Sequence, residues 1–159
     1  MKMKKSNILG IYLITCIIDQ IIKLIIKFNM KVEDTIMIIP NFFNIEYLQN
    51  TGAAFSILKD NTFILTITSV IIIIVLDRLI KKEENLNKLS IISFGLIMGG
   101  IFGNLIDRII HHGVIDYLSF KIFNYHFPIF NLADIAIVGG VFLLLISMIK
   151  ERSTISSNK

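Results

Sequence analysis

The chain has 159 residues, of which 54% are hydrophobic and only 18% are charged, and its mean hydropathy is +0.73. A soluble domain of this length would leave too much apolar surface in water, so the composition indicates an integral membrane protein. The net charge of +4 is not arranged as a basic stripe interleaved with aromatic residues, which excludes a nucleic-acid-binding protein.

Four apolar segments have the length and composition of transmembrane helices. Each is near the ~20 residues that cross a ~30 Å hydrocarbon core, and they cover about 8–28, 63–80, 89–110 and 132–149. None shows the alternation of a barrel strand, so a four-helix bundle is predicted. The first segment follows a basic N-terminus, as a secretory signal peptide does. It continues for ~20 residues without a small-residue cleavage site, so we expect it to be retained.

The two longer links, at about 29–62 and 111–131, complete the predicted architecture. In the first link, the aromatic and β-branched run 42–48 follows Pro40 and ends before the turn signal Asn50-Thr51-Gly52. This pattern predicts a small pair of strands on the outer membrane surface. The second link is interpreted as a short connection to the last helix. The predicted fold is therefore an all-α integral membrane protein, with four transmembrane helices and a small β-rich extracytoplasmic cradle, forming one membrane domain over 1–159.

The distribution of basic residues predicts the orientation in the membrane. Segments 1–7, 78–88 and 150–159 hold ten Lys and Arg, whereas segments 27–62 and 108–131 are much longer together and hold five. Because basic residues are concentrated on the cytoplasmic side, both termini are predicted to be cytoplasmic and both longer links to face outward.

Polar residues from distant parts of the chain are predicted to lie at one depth, in the outer leaflet. An ionisable group in a membrane helix costs on the order of 2.5–3.5 kcal/mol at the bilayer centre, so it usually has a partner and often a function. The set comprises two i,i+4 pairs on the first and third helices, one residue at the start of the fourth, and two from the outer links: Asp19, Lys23, Asn104, Arg108, Asp134, Asn50 and Asp116.

Each of these residues also has a purely structural interpretation when taken alone. Asp19 and Lys23 could form a self-neutralising ion pair, and Arg108 could extend to lipid headgroups. Asn131 could cap the last helix in a box with Asp134.

Six glycines on the third and fourth helices predict close contact between those two helices, namely Gly95, Gly99, Gly100, Gly103, Gly139 and Gly140.

The motifs present favour a pair of carboxylates as the reactive groups. HExxH, GxSxG and GxGD are all absent, and the three histidines lack the spacing of metal ligands, so neither a metal nor a cofactor is predicted. Cys16, the single cysteine, is interpreted as packing. Asp116 and Asp134 are predicted to meet at the membrane boundary and share a proton. Such a pair can activate water to hydrolyse a peptide bond, with Asn104, Arg108 and Asn131 as supporting donors.

Five short motifs in order also resemble one known family over nearly the whole chain. They are Asp19-Gln20-Ile21-Ile22-Lys23, Asn50-Thr51-Gly52-Ala53-Ala54-Phe55, Gly103-Asn104-Leu105-Ile106-Asp107-Arg108, Val114-Ile115-Asp116-Tyr117-Leu118 and Phe130-Asn131-Leu132-Ala133-Asp134. In these residues the chain resembles the lipoprotein signal peptidases (signal peptidase II).

The resemblance implies a bacterial plasma-membrane enzyme with its active site at the outer leaflet. It implies removal of the signal peptide from prolipoproteins, on the N-terminal side of a cysteine that carries a diacylglyceryl group, without cofactor or metal. It also implies contact with membrane lipid and inhibition by globomycin-type cyclic peptides. The catalytic dyad of the family falls on Asp116 and Asp134. Its supporting positions fall on Asp19, Lys23, Asn50, Gly52, Asn104, Arg108, Asn131 and Ala133.

Two other classes of protein remain compatible with intramembrane charges. A small transporter or channel subunit could use Asp19, Lys23, Arg108 and Asp134 as an ion or proton path, although the predicted charges share one depth and no inverted repeat is present. A non-catalytic lipid-binding or assembly protein is the second alternative.

Overall fold

A computed structural model of the chain describes residues 5–52, 61–83, 85–123 and 125–157, without the side chains of 152–157. Within these ranges, four helices are long and apolar enough to cross a membrane, which confirms the predicted fold class. These are α1 (Ser6–Asn29), α2 (Thr62–Lys82), α3 (Lys88–His111) and α4 (Leu132–Ser157). The last helix continues beyond the predicted end at 149, because Lys150 and Glu151 end the apolar segment but favour helix.

Helix α3 lies at the centre of the bundle and packs against α1, α2 and α4. Its buried positions include several small residues, among them Ser90, Ser93 and Gly99. Small side chains let neighbouring helix backbones approach closely in lipid, where no hydrophobic effect drives helices together. The sequence of α3 therefore suits the helix that carries most of the interhelical contacts.

The glycines of α3 face two helices: the predicted close contact with α4 is present, and two of the glycines face α1 instead. A Cβ on Gly95 or Gly99 would meet α1, at Ile11 and Thr15 respectively. A Cβ on Gly100 would instead meet the backbone carbonyl of Ala133 on α4. Glycines four residues apart share one helical face, and Gly100 lies about 100° around from Gly99, so α3 fits between α1 and α4.

Gly139 and Gly140 on α4 differ in what surrounds them, which makes them a matched pair. A Cβ on Gly140 would lie 2.7 Å from Ile97 Cγ1 and 3.0 Å from the Ser93 carbonyl, whereas a Cβ on Gly139 would meet nothing within 4 Å. We expect Gly140→Ala to lower the free energy of unfolding by about 1–3 kcal/mol through overpacking. Gly139→Ala should not destabilise, since alanine favours helix. Thermal unfolding of both variants in detergent checks this, and equal loss in both would contradict the packing.

Four antiparallel strands form a sheet at the end of the bundle where α1 ends, α2 begins and α4 begins. They are β1 (Thr35–Ile39), β2 (Phe43–Asn50), β3 (Val114–Ile122) and β4 (Tyr125–His126), in the order β1-β2-β3-β4. The predicted strands in the first link are present. The second link, interpreted as a plain connection, contributes β3 and β4 instead, since its run of β-branched and aromatic residues suits a pleated surface. Ala53-Ala54-Phe55 of the second motif and Lys59 lie outside the described residues.

A small hydrophobic core joins this sheet to α1. Ile26 and Met30 at the end of α1 pack under Tyr47 of β2 and under Ile115 and Tyr117 of β3. Burial raises the pKa of Tyr117 to about 12, and its hydroxyl oxygen accepts a hydrogen bond from the backbone N–H of Leu132. The sheet is thus fixed to the bundle on both sides of Asp116.

Candidate active site

Asp116, the third residue of β3, is buried with 2% of its surface exposed. Asn50 Nδ2 donates to its Oδ2 at 2.9 Å, and Asn131 Nδ2 donates to its Oδ1 at 2.6 Å. Burial and the negative charge of Asp134 raise the pKa of Asp116 to about 7, although both amide donors act to lower it. This carboxyl group can therefore hold a proton near neutral pH.

Asp134 lies in the first turn of α4 and closes a capping box with Asn131. The Asp134 N–H donates to Asn131 Oδ1 at 3.0 Å, and the Asn131 N–H donates to Asp134 Oδ2 at 3.2 Å. The capping interpretation of Asn131 is therefore correct, but it does not compete with a role in the site. The cap fixes the direction of Asp134, and the helix N-terminus favours negative charge there.

Asn131 and Asn104 connect the two carboxylates. Asn131 Nδ2, which donates to Asp116, also lies 3.1 Å from Asn104 Oδ1, and Asn104 Nδ2 donates to Asp134 Oδ1 at 2.8 Å. Both asparagines are buried, so these amide groups have few alternative partners. Two asparagine amides therefore bridge Asp116 on β3 to Asp134 on α4.

Lys23 supports this bridge from the side away from the cavity, and it uses all of its donors. Its Nζ lies 2.8 Å from each of Asp19 Oδ2, Asp107 Oδ2 and Asn104 Oδ1. An ammonium group has three N–H donors, so its hydrogen-bonding capacity is filled. The predicted Asp19–Lys23 ion pair is present. Because Lys23 also donates to Asn104, the pair helps to orient a residue that contacts Asp134.

Asp107 and Gln20 belong to this network although neither was predicted as a site residue. Asp107 Oδ2 accepts the backbone N–H of Ile115 at 3.1 Å, and its Oδ1 accepts from Gln20 Nε2 at 3.0 Å. Asp107 therefore holds the backbone next to Asp116. The available signal was an acid inside a membrane helix, one turn beyond Asn104 and next to Arg108.

Three smaller features shape the edges of the site. Gly52 N–H donates to Asn50 Oδ1 at 2.9 Å, a side-chain turn that leaves the Asn50 amide nitrogen facing Asp116. Ala133 is fully buried, and its N–H donates to Asp19 Oδ1 at 3.0 Å, which ties α4 to α1. Arg108 is half-buried, and its Nη1 lies 3.4 Å from the carbonyl of Asn104.

Both aspartates open onto one cavity of about 760 Å³ between the sheet and α4. Asn50, Gly52, Asn104 and Arg108 line it, whereas Asp19, Lys23, Asn131 and Ala133 lie behind this wall. Further lining residues come from β2, β3, the β4 segment and α4, including Glu46, Leu48, Ser119, His126, Ile137 and Val138. The structure therefore brings all the residues predicted from the sequence into one region, in two layers.

Such an arrangement suits hydrolysis by acid–base chemistry. One carboxyl group can hold a proton while the other is stabilised as an anion by N–H donors and a helix N-terminus. Amide and guanidinium donors around them can stabilise a polar intermediate.

Comparison with known proteins identifies the family. The family model described as signal peptidase (SPase) II matches residues 11–150. Lipoprotein signal peptidase from Maridesulfovibrio salexigens is 36% identical over 94% of this chain and 100% of its own, and that from Staphylococcus haemolyticus is 37% identical over 96% and 99%.

Two solved structures of bacterial membrane enzymes share the fold. A solved bacterial membrane enzyme, determined by the in meso method at 2.3 Å resolution, superposes with a TM-score of 0.87 at 35% identity, covering 96% of this chain and 93% of its own. A second, at 1.9 Å resolution, gives a TM-score of 0.83 at 36% identity. These likenesses do not favour the transporter alternative. The chain belongs to the signal peptidase II family of aspartic endopeptidases.

Proposed function

We propose that Asp116 and Asp134 are the catalytic dyad with which this chain removes signal peptides from diacylglyceryl-modified prolipoproteins. Cleavage falls on the N-terminal side of the lipidated cysteine, as the family assignment supports. The observation that carries the proposal is the double attachment of Asn131, which donates to Asp116 and caps the helix that bears Asp134. Two acids held by one side chain at the wall of one cavity are suited to act as a unit.

The environments of the two acids support different roles. Asp116, with its raised pKa, is assigned the proton, and Asp134 is assigned the negative charge. Asp134 takes a proton from water, whose oxygen attacks the scissile carbonyl. Asp116 donates a hydrogen bond to the carbonyl oxygen as it becomes tetrahedral.

Collapse of the intermediate completes the reaction. The C–N bond breaks, and the departing amine receives a proton from the dyad, which returns to its singly protonated state. Arg108 and Asn104 line the cavity beside the dyad and supply donors to the polar intermediate.

We also propose that the site faces the outer leaflet and that both termini are cytoplasmic. The excess of basic residues at the termini and in the 78–88 connection supports this orientation. A diacylglyceryl anchor would then hold the scissile bond at headgroup depth, level with the sheet. By family resemblance, globomycin-type cyclic peptides are expected to occupy the same cavity.

Precursors with and without the diacylglyceryl group test the proposal. Purified protein should cleave the lipidated precursor and turn over the unlipidated one far more slowly, because the acyl chains hold the scissile bond at the depth of the dyad. The measurement is kcat/KM for the two precursors in the same detergent. Equal turnover of both would contradict this placement of the substrate.

The pKa of Asp116 predicts how the rate depends on pH. Because its protonated form is required and its pKa is about 7, kcat/KM should decline as pH rises through about 7. Asn50→Ala removes a donor that lowers this pKa, so the declining limb should move to higher pH. Profiles of the wild type and of Asn50→Ala between pH 5.5 and 9 measure the declining limb of each protein, since this window covers roughly two units around that pKa. A profile that is flat across this range would contradict the assignment of the proton to Asp116.

A further inference from the structure

Glu46 lies in the active-site cavity but takes no part in the reaction described above. Its side chain is half-buried and lines the same cavity as Asp116 and Asp134. Within the described part of the chain, its carboxylate accepts no hydrogen bond and has no cation within 4.0 Å. A partly desolvated carboxylate without a partner is unfavourable, so a ligand that brings a positive charge would be stabilised there.

The geometry of β2 directs Glu46 into the cavity. Leu48 stands opposite Asp116 in the sheet, and Glu46, Leu48 and Asn50 alternate along the face that lines the cavity. Tyr47, between them, points into the core under the sheet. The pairing of β2 with β3 also shifts here, so that Glu46 and Tyr47 together oppose one β3 residue. Shifts of this kind commonly re-aim side chains beside active sites.

The spacing along β2 indicates which part of a substrate would reach Glu46. Leu48 is opposite Asp116 in the pairing of β2 with β3, and Glu46 is two residues farther along β2, which is roughly 7 Å at ~3.4 Å per residue. An extended peptide rises ~3.3–3.6 Å per residue, so it covers this distance in about two residues. Glu46 is therefore level with a substrate residue about two positions from the scissile bond.

The polarity of the cavity indicates the direction of the substrate. Ile137 and Val138, one turn beyond Asp134 on α4, present apolar side chains to the cavity, whereas Glu46 and Ser119 present polar side chains from the sheet. An apolar signal peptide suits the α4 end, and the mature segment, which continues into water, suits the sheet. Arg108 lies within the fields of Asp107, Asp116 and Asp134, so its charge is compensated by acids other than Glu46.

We propose that Glu46 is a specificity-determining residue that binds a basic side chain about two residues C-terminal to the scissile bond. This inference rests on the proposed function, because it assumes that the dyad cleaves a prolipoprotein in this cavity. The bound group is a lysine ammonium or an arginine guanidinium of the substrate, paired with the Glu46 carboxylate. Pairing at a half-buried site acts on binding and leaves the chemical step unchanged.

Lipidated precursors that differ only in charge test the proposal. We would place Lys, Gln or Glu in turn at the second, third and fourth positions after the scissile bond and measure kcat and KM at low and high salt. At the matching position, wild-type protein should prefer Lys over Gln by about five-fold in KM, which is the effect of one partly exposed ion pair. Added salt should weaken the preference.

Two variants of Glu46 and one control complete the experiment. Glu46→Gln should abolish the preference, and Glu46→Lys should reverse it toward the Glu precursor, both without loss of kcat on the Gln precursor. Glu33→Gln removes an exposed carboxylate that precedes β1 and does not line the cavity, and it should keep the wild-type preference.

The failure of this inference can be told from the failure of the proposed function. A series with normal cleavage but no charge preference, or a preference that survives Glu46→Gln, would overturn the role of Glu46 alone. Absence of cleavage of every lipidated precursor by wild-type protein would overturn the proposed function and this inference with it.

Discussion

Asp116→Asn and Asp134→Asn are each expected to abolish cleavage of a lipidated precursor, with a fall in kcat of about 10²–10⁴-fold or more. Asparagine keeps the shape and much of the hydrogen bonding of aspartate, but it can neither take a proton from water nor give one to the carbonyl oxygen. At position 134 it can still accept from the N–H of Asn131, so α4 should remain capped. The measurement is single-turnover cleavage with purified protein.

Asp77→Asn is the matched control for this experiment. Asp77 is a carboxylate near the end of α2, 45% exposed and remote in the fold from the cavity lining. Its replacement should leave kcat unchanged. Near-normal turnover by either Asp116→Asn or Asp134→Asn would exclude a mechanism that uses both carboxylates. Thermal unfolding of each variant distinguishes lost chemistry from lost structure.

Lys23→Met is expected to destabilise the protein more than any surface change, by about 3–5 kcal/mol. It would leave Asp19 and Asp107, which are 0% and 1% exposed, without the ammonium group that now lies 2.8 Å from both. Buried charges without a counter-charge are strongly unfavourable, whereas the methionine itself fits an apolar interior. Unfolding in detergent, followed by heat or denaturant, measures the loss.

The chain contains a control of the same geometry. Lys81 and Asp77 on α2 are also spaced i,i+4 and lie 2.7 Å apart, but their side chains are 74% and 45% exposed. Lys81→Met should therefore cost only about 0–1 kcal/mol. Adding Asp107→Asn to Lys23→Met should recover part of the stability, because one uncompensated charge is removed. Equal losses for Lys23→Met and Lys81→Met would show that burial does not govern the Lys23 network.

The sequence predicted those parts of the structure that depend on local pattern. Length and hydropathy were enough for four membrane helices, because a bilayer requires spans of this size. The depth of polar residues followed from counting along helices, and it brought Asp19, Lys23 and Asn104 to the level of Asp134. The depth of a residue in the membrane follows from its position along a helical segment, and that position can be counted from the sequence.

The parts that were not predicted depend on how each helix is rotated about its own axis and on pairing between distant segments. Counting gave no indication that Lys23 would contact Asp107, or that α3 would turn Gly95 toward α1 and Gly100 toward α4. Strand β3 was missed because a buried strand flanked by helices reads as a short connection until a partner such as β2 is known. Partners across a fold follow from packing, and the periodicity of one segment does not specify them.

The hydrogen bond from the Ala133 N–H to Asp19 joins residues 114 positions apart in the chain. During biosynthesis the first of these residues enters the bilayer long before the second leaves the ribosome. Asp134 and its cap Asn131 both come from the segment that is made last, so Asp116 has no partner acid before α4 is inserted. We therefore expect a chain truncated before α4 to be unable to cleave a precursor, and proteolytic competence to begin only when membrane insertion is complete.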